Sequence, residues 1–91
     1  MNEELYEKLE AEFAKRHIDE EVEDVLLDMA EMLAEKNVLG KEISCKKTIG
    51  RTPLEAVGFC EADEEYPDEA SVYIKTLTVA GTVYEIEDYL L

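Results

Sequence analysis

The stretch DEEVEDVLLDMAEMLAEKNVLGKEISCKKTI, Asp19 to Ile49, holds two hydrophobic periods in succession, and the change between them decides the fold. At about 100° per residue, Val22, Val25, Leu26, Met29, Met32 and Leu33 share one continuous arc, so the spacing predicts a helix with these residues as its core face. Asp19 is its expected N-cap, the helix runs to about Lys36, and Asn37 or Gly40 ends it. The opposite arc carries Glu20, Glu21, Glu23, Asp24, Asp28, Glu31 and Glu35. Beyond Gly40 the period falls to two. Ile43, Cys45 and Ile49 alternate with polar residues over 41–49, with Lys47 breaking the pattern, and a strand is expected.

Upstream, a first helix is expected from about Glu3 to Arg16. Asn2 is its N-cap, and Glu3 and Glu4 suit the positive helix terminus. Leu5, Leu9 and Phe13 recur every fourth residue with Tyr6 beside them, while Glu4–Lys8 and Glu12–Arg16 are favourable i,i+4 pairs. His17 and Ile18 form a short break, so the two helices make an antiparallel hairpin.

Downstream, Thr52-Pro53-Leu54-Glu55 matches a capping box that would open one helical turn closed by Gly58, yet Val57 and Phe59 favour a strand over 54–61. The strand is preferred. Residues 63–69 form an acidic loop. Ser71 to Val79 is a β-branched, alternating strand, Ala80-Gly81 a hairpin turn, and Thr82 to Glu87 the last strand. Tyr73 and Tyr84 are placed as cross-strand partners in the sheet. The apolar end Tyr89-Leu90-Leu91 is expected to pack against something. The fold class is therefore α+β: an N-terminal antiparallel helical hairpin packed on one face of a three- or four-stranded antiparallel β-meander, ααβββ or ααββββ.

Ninety-one residues with no linker or internal repeat make one small domain, 1–91. At 46% hydrophobic residues the chain can build one core, which excludes a wholly disordered chain. Acids outnumber bases 24 to 9, for a net charge of −15. Such a chain is poor in the cations that neutralise phosphates, so neither direct nucleic-acid binding nor docking on anionic membranes is expected. The charge is uneven: net −10 over residues 1–35, +2 over 36–62 and −7 over 63–91. An acidic N-terminus without an apolar run points to a cytoplasmic protein. Cys45 and Cys60 are expected as free buried thiols.

Chemistry finds little material. Catalytic acid/base work needs a carboxyl raised by burial, and only Glu55 and Glu61 have apolar neighbours. His17 sits at a helix end, where an imidazole complements the terminus. Two cysteines and one distant histidine do not make a four-ligand zinc site. A calcium loop begun at Asp63 would put Pro67 fifth, Asp68 where glycine belongs and Ile74 where glutamate belongs, and it fails. Ser71 lies in Glu-Ala-Ser-Val rather than the Asp-Ser-Leu of an acyl carrier protein. No enzyme, metal or cofactor is expected.

The acidic helix face is the remaining signal. Glu20/Asp24, Asp24/Asp28 and Glu31/Glu35 are like-charge i,i+4 pairs, each costing roughly 0.2–0.5 kcal/mol, where lysine would have given equal solubility. Eight carboxylates from Asp19 to Glu35 span roughly 24 Å, or about one per 3 Å, close to the ~3.4 Å per phosphate along one DNA strand. Leu27, about 140° from Val22, should stand exposed among them as an apolar anchor. The loop residues Asp63, Glu64, Glu65 and Tyr66 could add a second charged patch. The partner-binding residues expected are thus Glu20, Glu23, Asp24, Leu27, Asp28, Glu31 and Glu35 on the helix, with those four on the loop.

In composition the chain is similar to nuclease immunity, anti-restriction and anti-CRISPR proteins as a group. That similarity implies a small inhibitor or regulator occupying the basic surface of a nuclease or other nucleic-acid-handling protein by phosphate mimicry. The alternative is an interaction or assembly module, a homodimer for instance, whose acidity serves only solubility; an open sheet edge would suit it.

Overall fold

Helices α1 (Glu3–Lys15) and α2 (Val22–Glu35) precede strands β1 (Ile43–Ile49), β2 (Thr52–Ala62), β3 (Ala70–Val79) and β4 (Thr82–Leu90) in this computed structural model. The structure describes residues 3–62, 64–65 and 70–90, with side chains at all of these except 70 and 87–90. The strands form one antiparallel sheet in the order β1-β2-β3-β4, and the helices lie on it, so the fold is α+β in the ααββββ form. The expected N-cap Asn2 lies outside the described residues.

The first helix ends because the chain turns left-handed. His17 has φ 57°, its N–H donates to the Ala14 carbonyl at 3.1 Å, and the Ile18 N–H donates to Phe13 at 2.9 Å. These two bonds are the 5→2 and 6→1 pair of a Schellman motif, and the buried side chains of Phe13 and Ile18 supply the apolar contact that accompanies it. Ile18 is therefore core, not a mere break in the sequence.

This ending corrects the expected start of the next helix. Asp19 is not the N-cap. Residues 19–21 carry the chain across to α2, and Glu21 takes the cap position with extended backbone (φ −73°, ψ 149°) and no side-chain cap bond. Val22, almost wholly buried, is the first helical residue. Asn37 (φ 54°) supplies the left-handed exit, with its N–H on the Ala34 carbonyl at 3.2 Å.

Between β1 and β2 the turn is Gly50-Arg51, with Gly50 at φ 61°. The segment 52–58 is strand, not a helical turn: Pro53 pairs with Thr48 and Leu54 with Lys47. Ala80 (φ 48°) and Gly81 (φ 88°) make the β3–β4 turn with both central residues left-handed, as a type I′ hairpin requires. The last strand is longer than Thr82–Glu87. Tyr89 pairs with Ile74 and Leu90 with Tyr73, so the apolar end continues the sheet, while Leu91 lies outside the described residues.

Alternation sorts the sheet into two faces. Cys45, Leu54, Ala56, Cys60, Val72, Ile74, Leu77, Val79 and Ile86 are buried beneath the helices, meeting Leu9, Phe13, Leu26, Met29 and Leu33. Register slips around Lys75, between Ile74 and Thr76, where a bulge puts two successive residues outside the core. Gly58 lies against that slip, and a Cβ there would overlap the Tyr73 carbonyl oxygen. Among the described residues no helix covers the other face. On it the rings of Phe59 and Tyr73 stack at 4.8 Å between centroids, Lys75 Nζ stands 5.7 Å from the Phe59 centroid, and Val83 is 61% exposed.

Candidate functional site on the second helix

One face of α2 is spent on the core, so its remaining residues form a single outward ridge. Val22, Val25, Leu26, Met29, Ala30 and Leu33 are buried. Glu23, Asp24, Glu31 and Glu35 are exposed on the ridge, and Glu20 and Glu21 are exposed just ahead of the helix. Leu27 is 42% exposed at the position its angular offset gives it. The structure thus places the helical members of the expected set on one surface.

Asp28 is the exception. It is half-buried, and its carboxylate accepts a hydrogen bond from Lys47 Nζ of β1 at 2.9 Å. The other ion pairs among the described residues join Glu4–Lys8, Glu12–Arg16, Lys46–Glu55 and Glu42–Lys75. Among the described residues no such cation meets the exposed carboxylates at 20, 21, 23, 24, 31 and 35. Two expectations change. Glu20 lies before the helix, so Glu20/Asp24 is not a helical i,i+4 pair, and the Asp24/Asp28 repulsion is offset by Lys47. From Glu23 to Glu35 the helix rises about 18 Å, and four unpaired carboxylates leave roughly one charge per 5 Å, sparser than the sequence spacing suggested.

In sequence the loop patch follows β2, not α2. Glu64 and Glu65 are exposed beyond the end of β2, while Asp63 and Tyr66 lie outside the described residues. That end of β2 is bounded by the Leu39–Cys60 bridge, where the Gly40 N–H donates to the Cys60 carbonyl at 2.8 Å. The sheet aromatics take separate partners: Tyr73 stacks on Phe59, and Tyr84 sits opposite Leu77 on the helix-facing side. Burial, with Glu12 close by, raises the Tyr84 phenol.

Catalytic candidates disperse. Glu55 is paired with Lys46 at 3.8 Å and Glu61 is exposed. His17 is an exposed helix terminus. Cys45 and Cys60 are free and buried, and burial pushes both thiols up, away from the reactive thiolate. The Cys45 thiol lies 3.4 Å from the Met29 carbonyl as a donor. Among the described residues no three His, Cys, Asp or Glu side chains gather to hold a metal, and no helix is long and apolar enough to cross a membrane.

Sequence reasoning missed the role of Lys47. Its signal was the one charged residue on the inward row Ile43, Cys45, Lys47, Ile49, which a covered strand tolerates only if the amine reaches a partner. Scans against protein-family models, curated proteins and solved structures find no match for this chain.

Proposed function

We propose that this chain is a non-enzymatic, acidic protein-binding domain that occupies the basic surface of a nucleic-acid-handling protein, in place of phosphate. The observation that carries the reading is the outward ridge of α2, where Glu23, Asp24, Glu31 and Glu35 surround the exposed Leu27 with no cation paired to them among the described residues. Carboxylates set along a rigid helix steer a basic partner at long range, and a leucine in their midst supplies apolar burial on contact. The chain's second acidic block, 63–69, would extend that field.

The test is capture. The immobilised protein is exposed to host lysate at about 0.1 M and then 0.5 M salt, where the screening length falls from about 10 Å to roughly 4 Å. Recovery of a basic nucleic-acid-binding protein that is lost at the higher salt is the expected result. A partner indifferent to salt would overturn the reading. It would favour the second one, an assembly module built on the uncovered sheet face, for which the exposed Val83 and the Phe59–Tyr73 stack speak.

A further inference from the structure

Where α1 leaves the head of α2, a recess of about 310 Å³ opens beside the ridge. Its apolar floor is Phe13, Ile18 and Val22, the residues that the Schellman ending of α1 and the late start of α2 bring together. Tyr6 and Ala14 form its walls, and Glu10, Glu20 and Glu21 its rim. The volume is at the lower end of the roughly 300–1,000 Å³ of ligand sites, enough for one side chain and too small for a nucleotide.

Sign and shape select the occupant. Among the described residues, none of the rim carboxylates is in an ion pair and no lysine or arginine lines the recess. Burial first, then the charges of Glu10, Glu23 and Glu21 and a hydrogen bond to Glu10, raise the Tyr6 phenol. The amides opening α2 would favour an anion, but Glu23 and Asp24 in that first turn already answer them. An apolar floor, an aromatic wall and an anionic rim fit a cation on a methylene stem. A guanidinium fits better than an ammonium, because it is planar, weakly hydrated, stacks on aromatic rings and bonds several carboxylates at once.

We infer that the recess takes one arginine side chain of the basic partner, with the stem on Phe13, Ile18 and Val22 and the guanidinium among Glu10, Glu20 and Glu21. This rests on the reading of the α2 ridge as a protein-binding surface and gives that surface a specific anchor point.

The experiment is a titration of the ¹⁵N-labelled full chain with N-acetyl-arginine methylamide, with the citrulline analogue as the uncharged isostere. Expected are saturable shifts at the amides of Tyr6, Ala14, Ile18 and Val22, and binding of the citrulline compound at least about tenfold weaker. Ala14→Phe, which fills the recess without changing charge, should abolish the shifts, and Glu10→Gln/Glu21→Gln should weaken them. Reversing the ridge residues Asp24, Glu31 and Glu35 should leave them in place, so this site and the ridge fail independently. Shifts spread over the whole acidic surface, equal shifts with citrulline, or shifts unchanged in Ala14→Phe would overturn the assignment.

Discussion

Lys47 Nζ donates to the Asp28 carboxylate at 2.9 Å, tying the centre of α2 to the edge strand β1. The lysine side chain is 26% exposed and the aspartate 49%, so the bond lies at the rim of the interface between helix and sheet. Its stem runs along the helix-covered side of β1 and its amine surfaces at the polar flank of α2. The buried face of α2 sets its orientation, and the bridge takes Asp28 out of the set of free carboxylates.

Removing it should cost modestly. In a double-mutant cycle of Lys47→Met and Asp28→Asn, a part-exposed ion pair predicts a coupling of about 0.5–1 kcal/mol in urea unfolding. A coupling of zero would mean that packing alone holds α2 in place.

The β3–β4 turn carries a correctable strain. Ala80 holds φ 48°, which an L residue other than asparagine, aspartate or glycine adopts at a cost of roughly 1–2 kcal/mol. Ala80→Asn gives the Asn-Gly pair that type I′ turns prefer and should stabilise the fold by about 0.5–1 kcal/mol. Thermal unfolding checks it; an unchanged or lower Tm contradicts the assigned turn.

Alkali should unfold the protein earlier than its net charge alone would suggest. Burial raises the thiols of Cys45 and Cys60, and the bond that Lys47 donates to Asp28 raises its ammonium. Each group keeps its proton in the native state at a pH where the unfolded chain has lost it, so stability is full below the ordinary values and declines above them. For the thiols the decline begins near pH 8.5, and for the lysine near pH 10.4. Urea midpoints should stay level from pH 7 to 8 and fall from there to 10.5, and Cys45→Ala should flatten the first part of the fall. Midpoints that hold or rise above pH 8.5 would contradict the burial of the two thiols.

Much of the fold was legible because its periods are long and clean. The α2 core residues, the change of period after Gly40 and the Ala80-Gly81 turn were all readable locally. Thr52–Gly58 was ambiguous because the capping-box pattern and the β-branched pattern compete over the same residues, and pairing with Thr48 and Lys47 decides for the strand. Asp19 misled because it is a strong capper, whereas the left-handed turn at His17, closed by the Ile18-to-Phe13 bond, leaves residues 19–21 as a connection ahead of α2. The Lys47–Asp28 bond spans 19 positions, and only the irregular polarity of β1 hinted at it. The recess was not legible at all, since its floor and rim come from two helices and their junction.

The central claim is that the free carboxylates of α2 bind the partner. The deciding measurement is the affinity of the captured partner for the wild-type chain and for Asp24→Lys/Glu31→Lys/Glu35→Lys, with circular dichroism recorded on both. Asp28 is left intact to spare the bridge to Lys47. The account predicts that the triple change abolishes binding while the helical and strand signals stay unaltered. Undiminished binding by a folded triple variant would contradict it, and would make the acidic ridge a solvated surface without a role in recognition.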